Sequence, residues 1–332
     1  MTGHHRYDRP LVGYGLVFVA ALLAGLNATL GKIVMDSGGL SALRVSEVRS
    51  TGSAVLLIAA MALFRRSELR VRREDLRFLV LFGLFGLAIA QYLYFVSIKH
   101  LHIGVALVIT NLAIVLVALW ARFFGSRPVH PRLWVGIVLA LAGLALVARV
   151  WSGAAFDALG IAAALACAVT YATYLLMAER SALSGRPAYA LIGLGFVVAG
   201  IFWAIAQPWW TFPYEILGKN VSLLGRLDGS TAPVWLLLGV MVPFGSLAPF
   251  VLYASALRYI PATHVVIAAV SEPVLGAVIA FGWLGETLGV YELVGGLLVL
   301  VAVVITQTAQ AVAPEPARPA VEPRAERVLA SR

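Results

Sequence analysis

The sequence predicts an all-α integral membrane protein: ten transmembrane helices arranged as two inverted five-helix repeats. Three observations carry this prediction: the composition, the length of the apolar runs, and a self-similarity at a fixed offset. Apolar residues make up 61% of the 332-residue chain and charged residues only 12%, whereas a soluble domain carries roughly 25% charged residues. So few charges cannot cover the exterior of a water-soluble fold. Lipid accepts an apolar exterior, provided the backbone closes its hydrogen bonds internally.

A bilayer core takes about 20 apolar residues per helix. Windows of that length place spans near 11–34, 41–63, 77–98, 103–124, 133–150, 158–178, 188–208, 234–255, 262–283 and 290–310. Residues 1–10 form an N-terminal tail, 11–151 the first set of five spans and 158–310 the second. A loop at 209–233 opens with Trp209, Trp210, Phe212 and Tyr214, an interfacial aromatic belt. Within it Leu217, Val221 and Leu224 recur at helical spacing, which predicts a short helix on the membrane surface. Residues 313–332 alternate Pro, Ala, Arg and Glu without a period and read as a disordered tail.

The net charge of +9 is not a nucleic-acid signature, because the arginines sit at the ends of apolar runs. With the N-terminus inside, eighteen of the 25 basic residues fall on the cytoplasmic side, including the cluster Arg65, Arg66, Arg70, Arg72, Arg73 and Arg77. Six fall outside: Arg44, Arg49, Lys99, Arg149, Lys219 and Arg226. This bias predicts both termini in the cytoplasm. Arginine fills nearly every basic position and alanine, valine and glycine abound, as in a GC-rich genome, so a bacterial plasma membrane is expected. The single cysteine, Cys167, lies in an apolar run, which excludes disulfides and thiolate metal sites. The first apolar run is long enough to span and is followed by others, so no cleavable signal peptide is read.

The internal repeat is visible without other sequences. Tyr94, Ser97, Ile98, Lys99 and His100 align with Tyr253, Ala256, Leu257, Arg258 and Tyr259, each pair 159 positions apart (253 minus 94). The same offset pairs Gly86 with Gly245 and Gly136 with Gly295 without a gap, so spans 3–5 correspond to spans 8–10. Five crossings are an odd number, so the second copy enters the membrane inverted. Inverted repeats are a mark of secondary transporters, with substrate bound near the midplane between the halves.

The stretch from Tyr253 to Val304 holds the run Ala256-Leu257-Arg258-Tyr259, then Glu272-Pro273, Gly285-Glu286 and a last span led by Gly295-Gly296. In these features the chain resembles the EamA family of the drug/metabolite transporter superfamily, over about residues 11–310. The first copy departs from the pattern: Ala113, Ile114 and Arg127 stand where Glu272, Pro273 and Glu286 stand in the second. The resemblance implies ten helices, cytoplasmic termini, a central cavity and, often, export of amino acids, metabolites or drugs.

Glu272 is the sharpest functional candidate, because a carboxylate at mid-span costs about 2.5–3.5 kcal/mol on insertion scales and requires compensation. It could bind a cationic group, carry a proton through the transport cycle, or stay protonated and hydrogen-bonded to a neighbouring helix. Pro273 frees the carbonyl of Ala269 and predicts a kink at that depth. Asn27 is placed to line a cavity. Gln91 with Tyr94, and Tyr171 with Tyr174, are spaced three apart and share a helix face. Those residues and Asn111, beside Thr110, suit either a ligand or interhelical hydrogen bonds. Lys32 reads as a snorkelling residue, His264 as a packed helix-end residue, and Arg258 and Glu286 as helix-end pairing and capping groups. Glycines 83, 86, 193, 195, 295 and 296 let helices approach closely.

Enzyme motifs are absent. The run from Gly25 to Lys32 is one residue too long for a phosphate loop and is followed by Ile33 instead of Ser or Thr. There is no His-Glu-x-x-His, Gly-x-Ser-x-Gly or close pair of membrane aspartates. The expectation is therefore a secondary transporter, in the direction of export, for small metabolites such as amino acids or drug-like compounds. It needs no cofactor or metal, and runs on a proton or substrate gradient. An integral-membrane enzyme or a lipid-handling protein on the same scaffold is the alternative, and it lacks catalytic groups.

Overall fold

Where no water can reach the backbone, an apolar run closes its hydrogen bonds within a helix, and helices dominate the computed structural model. It describes residues 10–66, 71–123, 132–147, 157–183, 187–256, 259–260, 265, 268–269 and 271–311. In chain order, α1 is Pro10–Asp36, α2 is Ala42–Phe64, and α3 covers 76–100. Next come α4, in two parts (Ile103–Thr110 and Leu112–Phe123), then α5 (Arg132–Val147), α6 (Ala158–Leu183) and α7 (Ala188–Ala206). The last three are α8 over 234–256, α9 (Ser271–Leu284) and α10 (Val290–Ala311).

Among the described residues six helices are long and apolar enough to cross a membrane, by length and composition: α1, α2, α3, α6, α7 and α8. The other four expected spans are met by shorter apolar stretches, Ile103–Val117, Trp134–Gly143, Ser271–Leu284 and Val290–Ile305. In α4 the break falls at Asn111, whose Nδ2 donates to its own helix, at Leu107 O, 2.8 Å away.

Helices α3 and α8 each contain a π-helical segment, Phe82–Ile89 in α3 and Pro243–Leu247 in α8. Pro243 has no N–H to give the ladder, which explains the wider turn in α8. The segment in α3 has no proline and runs across Gly83 and Gly86. Gly86 and Gly245, the pair aligned by the 159-residue offset, sit inside these two segments. A side chain at Gly245 would collide with Asn27 of α1, and one at Gly86 would press on Tyr174 of α6.

The principal helix pairs show the same exchange. Helix α1 packs on α8 and α9, while α6 packs on α3 and α4; α2 packs on α7, α4 on α9, and α5 on α10. Shifting every helix number by five maps this set of pairs onto itself. Small residues set several crossings. A Cβ on Gly83 would lie 2.6 Å from Gly195 O, one on Gly143 2.6 Å from Gly295 O, and one on Gly25 2.9 Å from Gly276 Cα. At such spacings the backbones are nearly in contact.

The loop at 209–233 corrects the expected surface helix. It forms short 3-10 turns and a two-stranded hairpin, β1 (Asn220–Ser222) against β2 (Thr231–Pro233), with Val221 opposite Ala232. Leu217, Val221 and Leu224 still turn inward, packing on the cluster formed by α1, α2, α3 and α8, but they do so from a hairpin. Gly225, at φ +57°, lies against the backbone of Trp283 and Leu284, where no side chain fits. Trp283 Nε1 donates to Leu223 O at 2.9 Å and ties α9 to the loop. The aromatic belt is split: Trp210 and Tyr214 are exposed, whereas Phe212 is buried in the core.

The α1–α9 crossing gives a direct test. Gly25→Val would force β-branched bulk onto Gly276 and should lower the stability of the purified protein by about 1–3 kcal/mol, read as a drop in detergent melting temperature. Gly239→Ala, where a Cβ meets no atom within 4 Å, should leave the melt unchanged.

Candidate functional site

The middle of the bundle holds charges of both signs. Arg49 lies on the polar first half of α2, among Ser46, Glu47, Ser50, Thr51 and Ser53. Its Nε donates to Ser246 Oγ at 2.6 Å and its Nη2 to Gly245 O at 3.1 Å, both in the π-helical segment of α8. Its guanidinium also lies over the Phe95 ring, 5.5 Å from the centroid. The irregular turn in α8 thus supplies the backbone acceptor that holds this cation.

Glu272 and Pro273 stand at the start of the described stretch of α9, with residues 265, 268 and 269 also helical just before it. The kink expected at Pro273 falls beside residues that lie outside the described ones. Tyr253 of α8 donates its hydroxyl to Glu272 Oε2 across a long 3.4 Å. Arg49 and Glu272 are thus both held by α8, one at Ser246 and the other at Tyr253, seven residues on. No direct ion pair joins them among the described residues.

Asn27 of α1 sits beside Tyr94 and against Gly245. It is 3% exposed, and its Oδ1 has no hydrogen-bond partner. Gln91, one turn from Tyr94, likewise has an unpartnered Oε1. Buried acceptors of this kind are rare in folded proteins and call for a donor. Tyr171 stays 37% exposed, while Tyr174 is buried, stacked on Tyr171 at 5.6 Å and on Phe82 at 5.3 Å. The structure thus brings Asn27, Tyr94, Tyr171 and Glu272 together around one centre. It places Tyr174 in the packing behind them and bonds the Asn111 side chain to its own helix. Arg258 and His264 lie outside the described residues.

Arg49 is the residue that the sequence reading passed over. It was counted with Arg44 among the outer charges, although both fall inside the run assigned to the second span. Arg44 is also buried: it bonds Glu47 at 2.6 Å and Thr211 at 2.5 Å, and so fastens α2 to the 209–233 loop. A guanidinium more than a turn inside the run assigned to a span, among Ser46, Glu47, Ser50 and Ser53, is the available signal.

Lys32 does not snorkel. Its Nζ meets Glu286 Oε1 at 2.5 Å and Leu101 O at 3.3 Å, with only 16% and 11% of the two charged side chains exposed. Glu286 Oε2 accepts from Ile103 N at 2.9 Å and so caps α4, in line with the capping role read from its position. At the same end His100 pairs with Asp157 at 2.7 Å and His102 with Glu292 at 3.7 Å. The N–H of Gly160, with His100 behind it, holds the Asp157 carboxyl below its ordinary range. This end of the bundle is closed by paired charges.

A separate cleft of about 690 Å³ lies between α4, α9 and α10, bordered by Gly104, Pro273, Val278, Phe281 and Leu297. Its walls are mostly apolar, with Glu286, Thr287 and Glu292 among them; several of its outer side chains are exposed, and Glu272 does not line it.

The geometry has a counterpart among known proteins. The model of the EamA-like transporter family matches residues 11–149 and again residues 158–308. The chain belongs to this family. Relatives within it include the threonine/homoserine exporter RhtA of Escherichia coli K12, 29% identical over 282 residues, covering 82% of this chain and 83% of that protein. The uncharacterized transporter YwfM of Bacillus subtilis 168 is 24% identical over 302 residues, covering 88% and 93%. A solved crystal structure superposes with a TM-score of 0.57 at 18% identity, covering 91% of this chain and 97% of the other, a likeness of fold. As an EamA-like protein the chain is a secondary transporter, and the reading as an enzyme or lipid-handling protein finds no relative here.

The Lys32–Glu286 pair is testable by itself. Lys32→Met strands a carboxylate that is nearly enclosed and should cost about 3 kcal/mol of stability. Adding Glu286→Gln, which still accepts the Ile103 N–H, should restore most of the loss in the same denaturation assay.

Proposed function

We propose that this chain is an exporter with ten spans and both termini in the cytoplasm, moving a small metabolite through the charged centre between its two inverted halves. The observation that carries this reading is the hold of α8 on charges from opposite halves, Arg49 at Ser246 and Glu272 at Tyr253, with no ion pair between them among the described residues. Charges held between the halves without pairing directly are what an alternating-access transporter needs at its midplane. The relatives support a substrate of metabolite size. RhtA is named for threonine and homoserine, which favours amino acids over drug-like compounds. In the absence of ATP-binding motifs, the drive comes from a gradient, and Glu272 is the candidate carrier of a coupling proton.

The burial of Arg44 and Arg49 supports the orientation. With these two inside α2, the expected outer basic residues fall from six to four, and the cytoplasmic excess grows. In a Cys167→Ala background, a cysteine at Gly229 should react with an impermeant thiol reagent on intact cells, and one at Ser331 only after lysis. The reverse pattern would overturn the orientation.

Glu272 faces Tyr253 of α8, Tyr94 of α3, Tyr171 of α6 and Arg49 of α2. Glu272→Gln preserves shape and most hydrogen bonds but cannot titrate. If the carboxyl carries a proton through the cycle, transport by the Gln variant in proteoliposomes should lose its pH dependence from about pH 5.5 to 8. Unchanged rates across that range in a folded Gln variant would remove Glu272 from the mechanism.

A further inference from the structure

We infer that the centre recognises a zwitterion, with Arg49 as the anchor for the substrate carboxylate and Glu272 as the partner of its ammonium group. This deepens the exporter reading and rests on it. Four observations converge. Arg49 spends Nε on Ser246 and Nη2 on Gly245 O, and no described residue bonds its Nη1. Glu272 spends Oε2 on the long contact with Tyr253, and no described residue bonds its Oε1. The two groups are held by the same helix, Arg49 at Ser246 and Glu272 at Tyr253 two turns along α8, without forming an ion pair among the described residues. Beside them, Asn27 Oδ1 is buried, unpartnered and fixed by its contact with Gly245, and Gln91 Oε1 is also unpartnered.

A ligand with one charge would satisfy half of this arrangement and leave the opposite charge enclosed and unpaired. A cationic drug would lie against Arg49, and a simple organic anion against Glu272. An α-amino acid carries both charges on substituents of one carbon. Its carboxylate takes the free edge of the guanidinium as a charge-assisted hydrogen bond, and its ammonium presents three donors to Glu272 Oε1 and the orphaned amide oxygens. Phe95, under the guanidinium, keeps that cation from swinging out of plane. Arg49 is thus the specificity-determining residue and the π-helical turn of α8 its mount.

The test uses the full chain in lipid nanodiscs and measures the affinity of each of the twenty L-amino acids by calorimetry. Each binder is then compared with its methyl ester, which loses the carboxylate charge, and with its 2-hydroxy acid, which loses the ammonium. At least one amino acid should bind, and either replacement should weaken it by about 10- to 100-fold. In Arg49→Gln, affinity for the amino acid should fall to that of its ester while the ester is unaffected; Glu272→Gln should do the same for the hydroxy acid. Arg49→Lys, which keeps the charge but not the fork, guards against a variant that fails to fold and should bind with intermediate affinity. Should no amino acid bind, or the ester bind as well as its parent, the zwitterion assignment falls. The exporter reading would survive if a monovalent cation such as tetraphenylphosphonium were still transported.

Discussion

A charge enclosed among helices must find a partner, and that constraint orders the interior of this protein. Arg49 is stitched to the irregular turn of α8, Arg44 to Glu47 and the hairpin loop, and Lys32 to Glu286 and the start of α4. Apart from the Arg44–Glu47 pair within α2, these bonds cross between elements remote in sequence, so the polar residues decide which helices meet, while the apolar ones supply contact area that many arrangements could share. Helix association in lipid gains little from apolar burial, because the tails are as apolar as the side chains. Glycine contacts and polar ties are what remain to specify the packing.

The two halves divide the chemistry unequally. The second repeat supplies the carboxylate, its tyrosine and the π-helical mount for Arg49; the first supplies the cation, the second tyrosine and Asn27. Duplication gave both halves the same scaffold, including the paired π segments. Ala113 and Ile114 stand in the first copy where Glu272 and Pro273 stand in the second, which leaves one carboxylate where exact symmetry would give two. Two carboxylates facing each other across the centre would repel, and one would stay protonated. A single carboxylate opposite a single guanidinium is electrically neutral as a unit and polar at each end.

Helices and repeat were legible in the sequence because each leaves a one-dimensional trace: apolar length and offset. What was misread depended on three dimensions. Leu217, Val221 and Leu224 have helical spacing, but with Leu224 and Gly225 at positive φ the chain folds into a hairpin, and the same residues pack inward from a different backbone. Lys32 near a helix end looks like any snorkelling lysine until Glu286, 254 residues away, is seen to meet it. Arg49 was hidden by a counting rule that treats basic residues near a span end as topology signals. Asn111 shows a break inside a hydropathy window, between the two parts of α4. At the centre, Asn27, Tyr94, Tyr171 and Glu272 were individually visible as polar residues in apolar runs, but only their convergence distinguishes them from Tyr174 and Asn111, which carry the same signature.

The Lys32–Glu286 bond has a mechanical meaning. A gate sealed by interlocking apolar side chains resists opening throughout, since every step exposes more oil to water. A gate sealed by an ion pair behaves differently: once the first waters enter, both charges recover their hydration and the remaining attraction becomes weak. Such a seal is brittle, firm while dry and yielding as soon as it is wetted. Because Glu286 also caps α4, its release frees the N–H of Ile103 at the same moment, so parting the side chains loosens the end of a helix. The latch and the helix it restrains are one moving part.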